Sequence, residues 1–258
     1  MAEDGRQSVL RFEGVSLHFG ETPALVDVSF EIHEGATRII LGSAGSGKTT
    51  LLKVALGLLR PDSGRVLVFG QDISGLKEAE LFDMRARVGV LFQEGGLFDS
   101  LTIEENVAYP LLNQRLLRVP PAEAQPRVEE ALQFVELEHT LEKLPSELSG
   151  GMRRRVGIAR AVVTGPPLVL YDSPTAGLDP ITAHTIIDLI QSLHKKLRFT
   201  GIIVTHELAR VFGIVERVAL LYEGVIQFMG TPDEIMSSQD AVVQQFISGA
   251  TQGPIKLY

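Results

Sequence analysis

The chain has 258 residues, 45% hydrophobic and 22% charged, with no cysteine and a formal net charge of −8. That is an ordinary globular balance with ample length for a core, and it excludes disulfides, thiolate chemistry and cysteine-type zinc sites. The acidic total and a sequence pI near 5.3 argue against nucleic acid as a partner, which calls for a basic face.

No apolar run reaches the roughly 18 residues that span a bilayer. The N-terminus MAEDGRQSVL lacks the basic-then-apolar layout of a signal peptide. The chain is therefore expected to be soluble and to meet a membrane only through a partner. Residues 9–19 and 24–32 alternate with period two and carry β-branched and aromatic side chains, the pattern of strands. Residues 37–41 form a third, mostly apolar strand that runs straight into GSAGSGKT, and 49–59 are predicted as an amphipathic helix. Pro61, Asp62, Ser63 and Gly64 make a turn. A strand at 65–69, a short helix at 78–87 and a strand at 88–92 follow.

From residue 93 to about 165 strand patterns give way to helical ones. Thr102 with Glu105 three residues on is a capping-box start. Pro120 and Pro121 open a helix over 122–137, and Ser149 is the predicted N-cap of another over 150–163. Leu168 to Tyr171 are a short continuous apolar run, the mark of a buried parallel strand. Beyond it come a helix at 181–197, a strand at 201–205, a helix at 207–215, and strands at 217–222 and 225–228 joined by a hairpin turn at Glu223-Gly224. Thr231, Pro232 and Glu234 form a capping box with proline at the first helical position. The tail after Gly249 is expected to be irregular.

The loop Gly42-Ser43-Ala44-Gly45-Ser46-Gly47-Lys48-Thr49 has two glycines bracketing four residues, then Lys and Thr. In that pattern the backbone N–H groups curl inward around phosphates, lysine reaches the β/γ-phosphates, and the threonine hydroxyl can ligate magnesium. Its place between a strand and a helix adds the helix dipole to the same anion. Asp172, at the carboxyl end of a buried strand, is the expected second magnesium anchor. The stretch LSGGM puts the Ser149 hydroxyl and the Gly150 and Gly151 amides at a helix N-terminus, an anion site. Arg153 to Arg155 point in different directions on a helix and are expected to form a solvated or intersubunit-paired face.

Phosphate loop, Gln93, LSGGM, Asp172, AGLD and His206, in that order, resemble an ABC-type ATPase, the nucleotide-binding subunit of ABC transporters. FQEGGLFDSLT, LSGGMRRRV and GLDPITA are similar to the ATPases of Mla/Mce-type lipid transport systems. The resemblance implies an α/β fold with a P-loop NTPase (RecA-like) core, an N-terminal antiparallel β subdomain and an inserted α-helical subdomain. The core would take residues 1–93 and 166–248, the helical signature subdomain 94–165, and the C-terminal tail 249–258. It further implies ATP and Mg2+ as ligands, with Thr50 beside the loop, Phe19 stacking on adenine, and Thr49, Gln93 and Asp172 around the metal. Gln93 would sense the γ-phosphate and His206 hydrogen-bond it. Leu148 to Met152 would close over the ATP of a second copy or a sister ATPase, with Asp179 at the seam. An integral-membrane permease would dock between Gln93 and Val107, where Gly95-Gly96 and Phe98 make the loop flexible and apolar. An Mce-type lipid-binding protein would share the complex, on the cytoplasmic face of the inner membrane.

One residue departs from the family. After the strand-end Asp172 the family places Glu, which polarises the attacking water; here stands Ser173, whose hydroxyl is not basic near neutral pH. The expectations that follow are slow hydrolysis, a substitute base in His206 or Glu94, or a subunit that binds ATP and leaves hydrolysis to a partner. A nucleotide-gated scaffold is thus the competing reading. A translation or DNA-repair ATPase ranks last, since those carry two halves or a long coiled-coil insertion.

Overall fold

The computed structural model describes residues 6–113, 119–207 and 215–255, which fall into two compact units. One takes the chain to Leu76 and again from Ile202; the other runs from Lys77 to Gly201. The first unit opens with β1 (Ser8–Phe19) and β2 (Thr22–His33), paired antiparallel and burying alternate residues such as Leu10, Phe12, Val28 and Phe30. Phe12 and Phe30 are direct cross-strand partners and stack at 4.7 Å between ring centroids. β3 (Thr37–Leu41) is buried at every residue and leads into α1 (Lys48–Ala55). β4 (Ser63–Val68) and β5 (Gln71–Asp72) complete an antiparallel sheet of order β2-β1-β4-β5. The two-residue β5 has no pattern long enough to read in sequence.

Helix α1 ends at Ala55, short of the predicted 59. Gly57 takes φ 64, its N–H bonds to Val54 O at 3.0 Å, and Leu58 N–H reaches Lys53 O at 2.8 Å. This is a Schellman ending, which glycine favours because it lacks a Cβ.

The second unit begins with α2 (Glu78–Arg85) and β6 (Val88–Leu91). α3 (Ile103–Asn113) carries the predicted capping box: Thr102 N–H donates to Glu105 Oε2 at 2.8 Å and Glu105 N–H to Thr102 Oγ1 at 3.2 Å. α4 (Pro121–Phe134) stops three residues before the predicted end, through the same two-bond ending built around Glu136 at φ 59. α5 (Gly150–Val162) starts at Ser149, whose Oγ accepts from Met152 N–H at 3.3 Å. These three helices share one apolar core that includes Val107, Leu111, Val128, Leu132, Val156 and Ala159. β7 (Leu168–Asp172) is buried throughout and pairs in parallel with β6. α6 (Pro180–Leu197) follows, with Asp179 Oδ1 capping Ile181 and Thr182 N–H at 3.0 Å each.

The chain returns to the first unit through β8 (Thr200–Thr205), β9 (Arg217–Tyr222) and β10 (Val225–Gly230), and the strands there run in the order β10-β9-β3-β8. β9 is parallel to β3 and antiparallel to β10. The helix predicted at 207–215 lies almost wholly outside the described residues. α7 (Pro232–Met236) shows the predicted box, Thr231 N–H to Glu234 Oε2 at 2.7 Å and Glu234 N–H to Thr231 Oγ1 at 3.2 Å. α8 (Ala241–Ser248), capped by Asp240, is absent from the sequence reading. Residues 250–255 have no helix or strand, as expected, yet they are anchored. The buried Gln245 amide donates to Ala250 O at 3.2 Å and Ile255 O at 3.1 Å, and accepts from Ile255 N–H at 2.6 Å. Among the described residues no helix is long and apolar enough to cross a membrane.

Candidate functional site

In the first unit the loop between β3 and α1 is shaped by contacts only glycine permits. A Cβ on Gly42 would lie 2.4 Å from both Leu221 O and Ser46 Oγ. Gly47, at φ 102, would place one 2.4 Å from Ala24 O. Lys48 is 8% exposed, and its Nζ donates to Gly42 O at 2.9 Å and Ser43 O at 2.7 Å, so the ammonium closes the loop on itself. Ala44, Gly45 and Thr49 face solvent, Ser46 is buried, and Thr50 is half-buried.

The loop also rests on a support that sequence reasoning missed. The β9–β10 turn, with Glu223 and Gly224 both at positive φ, donates Gly224 N–H to Ser46 O at 3.2 Å and accepts Val26 N–H at 2.9 Å. Its only sequence signal was the Glu-Gly pair read as a hairpin turn. Backbone N–H groups around a curled loop, a helix N-terminus and a lysine make a site for a polyanion.

Phe19 ends β1 with 54% of its surface exposed, so it is not the core residue its strand position allowed. Next to it His18 N–H donates to Asp62 Oδ2 at 2.7 Å and its Nδ1 lies 2.9 Å from the same oxygen, tying the hairpin end to the 61–64 turn. Those bonds, with the His18 ring first, hold the Asp62 carboxyl below its usual value. His206 follows β8 directly and is exposed.

In the second unit Asp172 closes β7 and is 6% exposed. Ser173 follows in the left-handed region at φ 48, and its hydroxyl donates to Asp172 Oδ1 at 3.1 Å. The three arginines after the signature do not form the expected solvated face: each binds a main-chain carbonyl of its own chain. Arg153 reaches Leu148 O at 2.6 Å and Arg155 reaches Val135 O at 3.0 Å. Arg154 is 3% exposed and donates to Ala176 O at 2.9 Å and Ser173 O at 3.4 Å. The LSGGM start stays open: Ser149 and Gly150 are exposed, and a Cβ on Gly151 would meet Thr182 Cγ2 at 2.5 Å. Asp179 is exposed, and its bonds from Thr182, then Ile181, hold its carboxyl below the usual value. An Asp-Pro pair before an apolar periodic run is a cap signal that could have been read.

Gln93 is exposed in a short 3-10 turn, Gln93–Gly95, one residue beyond β6. The Glu94 side chain lies outside the described residues, so its reading as a substitute base does too. The loop beyond was expected to be flexible; instead it is pinned. Arg160 Nη2 donates to Gly95 O at 3.1 Å and Gly96 O at 2.8 Å, and its guanidinium sits 5.7 Å from the Phe98 ring centroid. Burial pushes that guanidinium below its usual pKa. Fully buried Asn106 accepts from Phe98 N–H at 2.8 Å and donates to Phe98, Leu101 and Thr102 carbonyls. The expected apolar character holds, since Phe92, Phe98 and Tyr109 remain exposed and, with Gly96, Pro110 and Arg160, line a groove of about 330 Å³. Among the described residues no cluster of three or more His, Cys, Asp or Glu is placed to hold a metal ion.

Comparison with known proteins adds four findings. A family profile described as ABC transporter matches residues 25–176. The intermembrane phospholipid transport system ATP-binding protein MlaF of Haemophilus influenzae is 35% identical over 250 residues, covering 97% of this chain and 94% of that protein. The methionine import ATP-binding protein MetN of Rhizobium etli is 40% identical over 220 residues, covering 85% of this chain and 60% of that one. Among solved structures, a dimeric ATP-binding cassette in a post-hydrolysis state with ADP and Pi aligns at a TM-score of 0.79 with 32% identity, over 87% of this chain and 99% of that one.

Proposed function

The chain belongs to the ABC transporter family as an ATP-binding cassette with the P-loop fold, and from that premise we propose that it is the ATPase subunit of an Mla/Mce-type lipid transport system. The observation that carries the nucleotide part is the phosphate loop, whose glycines leave a cradle that a Cβ at Gly42 or Gly47 would fill. Its donor set fits a polyphosphate. Lys48 would trade its two loop carbonyls for β/γ-phosphate oxygens, and loop amides and the dipole of α1 would serve the same groups.

The oxygen donors Thr49, Gln93 and Asp172 suit a hard cation and would hold Mg2+. When bound, that ion neutralises charge developing between the β- and γ-phosphates. Phe19 offers its exposed ring to adenine, and His206 donates toward the γ-phosphate. The Ser149 hydroxyl and the Gly150 and Gly151 amides would face the ATP of a second copy or a sister subunit, with Asp179 at the seam. The core at 1–93 and 166–248 and the helical part at 94–165 are proposed as the working division of the cassette.

Two relatives with different cargoes match with similar identity, so identity alone does not choose between them. Coverage favours lipid: the chain accounts for 94% of MlaF but 60% of MetN. A permease helix is proposed to dock in the Phe92–Phe98–Tyr109 groove between Gln93 and Val107, with an Mce-type protein in the same complex at the cytoplasmic face of the inner membrane.

General-base assistance is worth about 10²–10⁴-fold in rate. With Ser173 in place of Glu, this chain is predicted to bind Mg-ATP and to turn it over more slowly than a glutamate-bearing relative. At saturating Mg2+, Ser173→Glu should raise steady-state turnover by about tenfold or more. No increase, or fast wild-type turnover, sinks the missing-base idea. Wild-type turnover at the background of Lys48→Ala would favour the second reading, a nucleotide-gated scaffold, which Ser173 motivates.

A further inference from the structure

Ser173 does more in the structure than leave a base out. A residue with a Cβ at φ 48 is uncommon and needs a surrounding that holds it there. That surrounding is visible. Buried Arg154 reaches across from α5 to the Ser173 and Ala176 carbonyls, and Ala176 N–H closes onto Ser173 O at 3.1 Å. Held in this turn, the Ser173 hydroxyl points back along the chain to Asp172 Oδ1 at 3.1 Å. A carboxylate only accepts, so the hydroxyl is the donor and the bond is charge-assisted. The last torsion of an aspartate is broad and weakly preferred by itself. A fixed neighbour that donates to one oxygen therefore contributes to how the carboxylate is turned.

We infer that Ser173 is a positioning residue for Asp172: its hydroxyl, aimed by the Arg154-clamped turn, orients the carboxylate toward the divalent cation. This rests on the reading of Asp172 as a magnesium anchor. An ionised glutamate at 173 has no proton to donate, so the arrangement belongs to serine. The chain has exchanged a group that acts on water for one that acts on the metal-holding carboxylate.

The experiment is equilibrium binding of a fluorescent ATP analogue to the full chain across a Mg2+ titration, which reads metal-dependent binding without turnover. Partners that orient a metal-binding carboxylate are worth about 10–100-fold in metal affinity. Ser173→Ala and Ser173→Gly should each raise the Mg2+ concentration for half-maximal binding by about tenfold. Glycine suits the left-handed backbone without strain, so a shift in both variants assigns the effect to the hydroxyl and not to the turn. Ser173→Asn keeps a donor and tolerates this backbone, and should stay within about threefold of wild type.

Wild-type Mg2+ dependence in Ser173→Gly overturns the inference, and so does an Asn variant as impaired as Ala. Failure of the proposed function reads differently. There the wild type shows no Mg2+-dependent nucleotide binding at all, and Lys48→Ala changes nothing.

Discussion

At the scale of single residues, the site depends on positions where one atom more or less changes the backbone. Gly42 and Gly47 leave no room for a Cβ, and Lys48 spends its charge on the loop's own carbonyls until something better arrives. Arg154 is the counterpart in the second unit, an enclosed cation bound to the main chain of the turn after Asp172. Hydrogen bonds to a charged group contribute about 1.5–3 kcal/mol, and removing the donor leaves the carbonyls without it. Arg154→Met should therefore lower stability by about 2–3 kcal/mol in chemical denaturation. A loss below about 0.5 kcal/mol, the level of an ordinary surface change, would show that the turn holds itself.

At the scale of elements, the segment between β6 and α3 is where expectation and structure part. Two glycines and a phenylalanine suggested a loose connection. Arg160 binds both glycine carbonyls and Asn106 binds Phe98 at N–H and C=O, so the loop is a fixed frame that presents its aromatic rings outward. A fixed apolar face suits docking, because little ordering entropy is lost when a partner helix binds. Phe98→Asp should abolish copurification with the membrane permease while fluorescent ATP analogue binding is kept. The new carboxylate would lie beside Arg160 and the backbone bonds to Asn106 need no side chain, so the fold should survive. Copurification at the wild-type level would place the permease elsewhere.

At the scale of the whole molecule, the start of α5 is exposed at Ser149 and Gly150, and the first N–H groups of a helix have no acceptor within it. The proposed occupant is the triphosphate held by another copy, and the cassette structure it resembles is a dimer. A non-hydrolysable ATP analogue with Mg2+ should shift the scattering mass from 28.1 kDa to about twice that, the mass of a closed two-fold pair, and ADP should not. A chain that stays at the monomer mass at saturating analogue would remove Ser149, Gly150 and Gly151 from the nucleotide site.

The sequence by itself determined the features that local chemistry dictates. The phosphate loop, the capping boxes at Thr102 and Thr231, the Ser149 cap and the buried strand ending at Asp172 each need only residues a few positions apart, so spacing reveals them. The helix ends divide instructively. Gly57 carries a signal for the stop of α1 that the expected end at residue 59 passed over, whereas Glu136 ends α4 in the same geometry without a glycine to betray it. Tertiary structure alone decided the rest, because the partners are far apart in the chain. Gly224 buttresses Ser46 across 178 residues (224 − 46), Arg160 pins Gly95 from 65 residues away, and Arg154 reaches Ala176 from 22. Main-chain carbonyls are the acceptors in all three, and every residue has one, so no pattern of side chains could have pointed to them.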